Sequence, residues 1–173
     1  MQLPHEYHIE RASPAHVPLL AAIEIAAAGI FPPGSIPEHI RSDSVPESVL
    51  REAVREGLLW VALDGNGQPV GYALVQLVED VALLAQMDVH PDHMRKGIGS
   101  ALIGHVAEHL RLREKTALYL TTFRHIPWNA PFYAKLGFSI LNATEIPQFI
   151  NEILDEEKRY GLTSRVAMRL KIQ

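Results

Sequence analysis

Between Val89 and Leu102 the stretch V-H-P-D-H-M-R-K-G-I-G-S-A-L joins an adjacent Arg and Lys to a G-x-G pattern. The apolar segment Val81 to Val89 stops at Pro91, and helical spacing begins at Ile98, Leu102, Val106 and Leu110. Strand, glycine loop and helix in that order aim several backbone N–H groups and the positive end of a helix dipole at one spot, which suits a phosphate. A Rossmann dinucleotide loop is excluded because its third glycine would fall at Leu102, and no Gly-Lys-Ser or Gly-Lys-Thr follows to make a nucleotide P-loop. A second spacing with chemical meaning is His105 to His109, H-V-A-E-H, which has the H-x-x-E-H form of an inverted zinc-protease helix. That helix already carries its apolar stripe, and the histidines flank it, so the pattern puts them at a boundary or on the surface and predicts no metal. A zinc hydrolase using His105 and His109 stands as an alternative. The chain has no cysteine, which removes disulfides, thiolate metal sites and a cysteine nucleophile.

The elements that must hold these residues follow from periodicity. Tyr7 to Ala12 alternates as a first strand, and Ser13-Pro14 reads as a helix cap followed by a helix marked by Val17, Leu20, Ala21, Glu24, Ile25 and Ala28 and stopped at Gly29. Phe31 to His39, broken by three prolines and a glycine, predicts a loop that walls a cleft. A short helix around Val49, Leu50, Ala53 and Val54 ends near Gly57. Leu58 to Leu63, D-G-N-G and Val70 to Val78 then predict a tight hairpin, extended by Val81 to Val89 into an antiparallel meander. A helix from Gly97 to about Arg113 and a strand Ala117 to Phe123 imply a parallel crossover. Asn129 to Leu136 (helix), Phe138 to Leu141 (strand), Ile146 to Tyr160 (helix) and Arg165 to Ile172 (strand) complete the chain.

Composition bounds the class. A length of 173 residues suits one domain spanning 1–173. No apolar run reaches the roughly 18 residues of a membrane span, so a membrane partner is not expected. No secretory signal is visible at the start, and a cytoplasmic location is the expectation. With a net charge of −4 and no run of five Lys or Arg, nucleic acid is not an expected partner either.

The central strand, basic loop, G-x-G and helix, followed by a strand and then N-A-P-F-Y-A-K-L-G-F at Asn129 to Phe138, resemble the GCN5-related N-acetyltransferase (GNAT) superfamily. The specific part of the resemblance is Met87 to Leu102 with Thr121 to Phe138. It implies an α/β fold, α+β by some schemes, with a mixed and mostly antiparallel sheet of about seven strands flanked by helices. The sheet would splay between the fourth and fifth strands, with acetyl-CoA as acyl-donor substrate in the gap. Met87, Asp88 and Val89 would then run along the pantetheine arm. Met94, Arg95, Lys96, Gly97, Ile98, Gly99 and Ser100 would wrap the pyrophosphate through N–H groups and charge. Family members usually carry Gln or Arg where Met94 stands, which weakens one side-chain contact and leaves a main-chain cradle that Arg95 supports.

The resemblance makes Tyr133 the general acid for the departing thiolate, a phenol with an ordinary pKa of about 10. Asn129, one helical turn away, would hold the pantetheine amide or a water, and Lys135 would reach the cofactor phosphates. The fourth strand lacks the glutamate that several relatives use as base and offers Gln86 and Asp88 on one face, so Asp88 or water is the candidate base. A main-chain N–H near Val89 would serve the oxyanion. The expected reaction is direct acetyl transfer from acetyl-CoA to a primary amine of a small molecule. Glu24, Phe31, Gln86, His125 and Trp128 are the candidate acceptor contacts, Glu24 as the carboxylate that attracts a cationic amine. A non-catalytic acyl-CoA-binding regulatory module is the other alternative. The resemblance also allows a homodimer through the C-terminal helix and strand.

Overall fold

The structure, a computed structural model, describes residues 3–173. Residues 1 and 2, at the start of the expected 1–173 domain, lie outside the described residues. The strands form a seven-stranded sheet in the order β1-β2-β3-β4-β5-β7-β6. They are β1 (His8–Arg11), β2 (Leu59–Leu63), β3 (Pro69–Val78), β4 (Val81–Val89), β5 (Ala117–Phe123), β6 (Ser139–Ile140) and β7 (Arg165–Lys171). The helices are α1 (Val17–Gly29), α2 (Glu38–Arg41), α3 (Glu47–Glu56), α4 (Ile98–Leu112), α5 (Ala130–Lys135) and α6 (Gln148–Arg159). No helix among the described residues is long and apolar enough to cross a membrane.

The chain divides into two compact units. The first comprises the described residues up to Phe31 with Glu38–Gln76 and Leu84–His109. Its sheet is antiparallel from β1 through β2 to β3, with Ile9↔Ala62 and Val61↔Tyr72 in register. Leu20, Leu50, Leu59, Val61, Tyr72, Leu74, Ile98, Leu102 and Val106 are buried in its core. The D-G-N-G hairpin forms as expected: the Asp64 carboxylate accepts from the N–H groups of Asn66 and Gln68, and Gly67 takes the positive φ of the turn. Gly57 caps α3 in the left-handed conformation.

Two expectations fail locally. Ser13 is not the cap of α1; a turn from Pro14 to His16 intervenes, His16 is the N-cap residue, and Pro18 takes the early helical position. Residues 38 and 39 leave the expected loop and open α2, where Arg41 turns back to donate to the carbonyls of Ala28 and Phe31 at 3.0 and 3.2 Å. Those carbonyls lie where the helical ladder of α1 runs out, and a guanidinium fork serves them in place of a glycine cap.

The second unit comprises Pro32–Pro37, Leu77–Leu83 and Leu110–Gln173. Here β4 pairs with β5 in parallel at Ala82↔Leu118 and Leu83↔Tyr119, the short parallel ladder that the expected crossover and splay require. β5 pairs antiparallel with β7 from Ala117↔Lys171 to Phe123↔Arg165, and β6 closes on β7. Leu118, Leu120, Phe138, Ile150 and Met168 form the core. α6 is tied to this sheet by Glu157, which accepts from Arg165 Nη2 at 2.9 Å, Arg165 Nε at 3.1 Å and Thr121 Oγ1 at 2.6 Å. The Arg165 and Glu157 side chains are 17% and 15% exposed, and the guanidinium stacks 4.5 Å above the Phe123 ring centroid. Removing one partner strands the other charge away from water, so Arg165→Met is expected to lower stability by about 2–3 kcal/mol in urea denaturation. Arg165→Met with Glu157→Met is expected to recover most of that loss.

Candidate active site

The glycine loop is built in the first unit. His90 N–H donates to the Val70 carbonyl at 2.8 Å and holds the end of β4 on β3. Pro91–His93 then form one turn of 3-10 helix, with His90 Nδ1 accepting from Asp92 N–H. Met94 is extended, Arg95 takes a φ of 61° and Gly97 a φ of 83° before α4 begins at Ile98. The first helical bond runs from Ala101 N–H to the Gly97 carbonyl at 3.0 Å, so the N–H groups of Ile98, Gly99 and Ser100 precede the ladder and are available to an anion. Gly97 needs a residue without a Cβ because of its φ. Gly99 does not share that reason, since its φ is not positive. A left-handed Arg95 is unusual for a residue with a Cβ, and such strain collects at functional loops. Lys96 differs from expectation: its Nζ donates to the Tyr7 hydroxyl at 2.9 Å, which in turn lies 2.9 Å from His93 Nδ1. That hydrogen bond holds the Lys96 pKa above its ordinary value.

Gln86 and Asp88 share one face of β4 as alternation predicts, and Gln86 Nε2 donates to Asp88 Oδ2 at 2.7 Å. Burial, with the Glu24 charge adding and the Gln86 bond opposing, pushes the Asp88 carboxyl up to about 7. Glu24 turns inward from α1, and its Oε2 accepts from Val45 N–H at 2.8 Å and from the Tyr72 hydroxyl at 3.0 Å. Burial raises the Glu24 pKa, against both donors and with Asp43 adding to the rise. The Tyr72 phenol is also driven up, by burial first and then by Asp88 and Glu24. Beneath this group, a Cβ at Gly71 would stand 3.0 Å from the Asp88 carbonyl oxygen and 3.3 Å from methyl groups of Ile98 and Val89. Gly71→Ala is therefore expected to cost about 1–3 kcal/mol, read as a lowered urea midpoint, and to disturb β4 at Asp88.

The second unit holds Asn129 and Tyr133. Asn129 Oδ1 accepts from Thr122 Oγ1 at 2.8 Å and from Phe123 N–H at 3.4 Å. A backbone N–H can only donate, so the amide oxygen faces β5 and Nδ2 is the group left to donate to a ligand. Tyr133 N–H donates to the Asn129 carbonyl at 3.0 Å, one helical turn on. The Tyr133 ring is buried and meets Phe132 and Phe138 edge-on at centroid distances of 5.2 and 5.5 Å. Lys135 and His125 are exposed, and Trp128 is half-buried.

The structure thus groups Glu24, Gln86 and Asp88 in one unit and Asn129 with Tyr133 in the other. Phe31 is half-buried at the end of the first unit, with its carbonyl on Arg41. His105 and His109 are not assembled as a metal pair: His105 is exposed, while His109 is buried with Nδ1 2.6 Å from Arg11 Nη2 and its ring edge-on to Trp60. No group of three or more His, Cys, Asp or Glu that could hold a metal occurs among the described residues. Two tyrosines escaped the sequence reading, Tyr72 and Tyr7. Tyr72 had a signal, because Glu24 is the one charge on an otherwise apolar helix and needed a buried donor. Tyr7 had none.

Residues 55–140 match the family model described as an acetyltransferase (GNAT) domain. These residues are a GNAT acetyltransferase domain. The GNAT match includes Gln86, Asp88, the glycine loop, Asn129 and Tyr133, and leaves Glu24 and Phe31 outside. Over 77 residues, 44% of this chain and 52% of the relative, the sequence is 34% identical to the ribosomal protein bS18-alanine N-acetyltransferase of Escherichia coli K12. The chain spans about half the length of the curated relatives it matches. The GNAT fold extends further than the sequence match. The PaiA N-acetyltransferase of Thermoplasma acidophilum, solved with coenzyme A, aligns with a TM-score of 0.70 at 17% identity over 95% of this chain and 98% of that one. The E. coli S18-alanine N-acetyltransferase aligns with a TM-score of 0.66 at 23% identity over 96% and 94%.

Proposed function

We propose that this GNAT domain transfers an acetyl group from acetyl-CoA directly to a primary amine. The observation that carries the reading is the junction of β4 and α4, where the N–H groups of Ile98, Gly99 and Ser100 stand outside the helical ladder beside a left-handed Arg95 and Gly97. Such a donor set fits a pyrophosphate. Asn129 Nδ2 fits a pantetheine carbonyl, Met87 and Val89 flank the arm, and Arg95, Lys96 and Lys135 supply positive charge, Lys96 once it leaves Tyr7. Met94 contributes its main chain to the cradle.

In the reaction, Asp88 takes a proton from the acceptor ammonium and leaves a neutral amine. The amine nitrogen then bonds to the acetyl carbon as the C–S bond breaks, the Val89 N–H serves the developing oxyanion, Tyr133 gives its proton to the thiolate, and the proton that the nitrogen sheds on becoming an amide restores the Tyr133 hydroxyl. Glu24, Phe31, Gln86, His125 and Trp128 stay the candidate residues of the acceptor site, and the cytoplasm, with its acetyl-CoA, is the proposed location.

The acceptor is either a small amine or the terminal amine of a protein. The second is favoured by the relatives named for N-acetylation of an alanine of a ribosomal protein. A panel of polyamines, amino acids, aminoglycosides and alanine-initiated peptides with acetyl-CoA, followed by free thiol, separates them. Thiol release with at least one amine supports the enzyme. CoA binding without release under any amine replaces it with a binding module.

A further inference from the structure

Tyr7 joins two residues of the glycine loop that are three positions apart. Its hydroxyl lies 2.9 Å from Lys96 Nζ and 2.9 Å from His93 Nδ1. Its ring meets the His93 ring edge-on at 5.7 Å, and Lys96 Nζ stands 5.4 Å from the Tyr7 ring centroid. Lys96 can only donate, so the hydroxyl oxygen accepts from it and the single hydroxyl proton is assigned to His93 Nδ1. The two bonds differ in what their loss does. Tyr7 is buried, and with its proton on His93 it keeps a partner whether or not the lysine stays. Lys96 is the movable partner, an ammonium on a flexible four-carbon stem. Tyr7 is fixed by its N–H on the Pro4 carbonyl at 3.0 Å and by β1, which starts at the next residue. The lysine also stands two residues before α4, where the positive end of the helix dipole disfavours a cation. A neutral hydroxyl holds the ammonium there through an ordinary hydrogen bond, and a phosphate oxygen would hold it through a charge-assisted one roughly twice as strong.

We propose that Tyr7 is a positioning residue for coenzyme binding, whose hydroxyl competes with the pyrophosphate for the Lys96 ammonium and yields it as the coenzyme seats. The inference rests on the glycine loop being the pyrophosphate site. It gives the N-terminal segment, which lies outside the matched residues 55–140, a part in setting the affinity for acetyl-CoA. No covalent bond changes and no proton moves: Lys96 exchanges one acceptor for another, and the Tyr7 proton stays on His93. Part of what the lysine gains on the phosphate is therefore offset by what it leaves on Tyr7, and removing the hydroxyl removes that offset.

The test is a double-mutant cycle on the full chain, with the Kd for CoA measured by titration calorimetry in the parent, Lys96→Met, Tyr7→Phe and the pair. Any loosening of the loop by Tyr7→Phe is common to both proteins that carry it and cancels between them. Lys96→Met is expected to weaken CoA binding more in the Tyr7→Phe background than in the parent, by a further factor of about 2 to 10, the size of one neutral hydrogen bond. An equal or smaller loss in that background overturns the proposal. A second measurement needs no substitution. NOEs between the Lys96 ε-methylene and the Tyr7 ring are expected in the chain alone and are expected to vanish at saturating CoA. Their persistence overturns the proposal even if Tyr7→Phe does not fold. Failure of the site reading shows separately, as a parent chain that does not bind CoA, and takes the proposal with it.

Discussion

Tyr133→Phe is expected to lower kcat by about 10²- to 10⁴-fold while leaving the KM for acetyl-CoA nearly unchanged. The change removes one hydroxyl and keeps the ring, which is buried against Phe132 and Phe138, so α5 and its contacts survive. A proton donor for a departing thiolate acts only as the C–S bond breaks, and its loss therefore falls on kcat and not on ground-state binding. Steady-state kinetics with a productive amine reads this directly. A small fall in kcat joined to a large rise in KM would make Tyr133 a binding residue, and no effect on either would return it to packing.

Asp88→Asn is expected to move activity and stability in opposite directions. The base must be ionised to act, so kcat/KM of the unsubstituted enzyme should rise with pH through about 7 and fall below it. The substitution removes that acid limb and about 10²- to 10⁴-fold of kcat/KM at neutral pH. Stability follows the linkage sign. The folded pKa is raised above the ordinary carboxylate value, so the favourable contribution of protonated Asp88 is complete below that ordinary value and is lost as pH rises through about 7. An amide resembles the protonated acid and carries no charge at any pH. The variant should match the parent near pH 4 and be the more stable of the two near pH 8, by on the order of 1–3 kcal/mol once partial exposure is discounted. Thermal melts at the two pH values test the sign. A lower Tm than the parent at pH 8 would mean that Asp88 contributes through its charge.

The parts of the molecule legible in the sequence were those whose information is local. Strand–glycine–helix order at Val89 to Leu102 and the one-turn spacing of Asn129 and Tyr133 both depend on neighbours within a few positions, and both appear in the structure. Alternation likewise put Gln86 and Asp88 on one face. What could not be read were partners distant along the chain. Tyr72 meets Glu24 across 48 positions and Lys96 meets Tyr7 across 89, and periodicity reports that a side chain is buried without saying against what. The misplaced cap at Ser13 and the short helix at Glu38 have a related cause. Both lie beside prolines, where a turn and a single helical turn look alike, and Arg41 decides the second case by reaching back to the end of α1.

The acetyl balance tests the central claim most directly. The full chain is incubated with acetyl-CoA and the amine panel, and mass spectrometry follows the amines, the coenzyme and the protein together. The expected result is one N-acetyl group on an amine for each CoA thiol released, with the protein mass unchanged throughout. Acetyl retained covalently on the chain, or a chain that binds CoA while every amine stays unmodified, would contradict it.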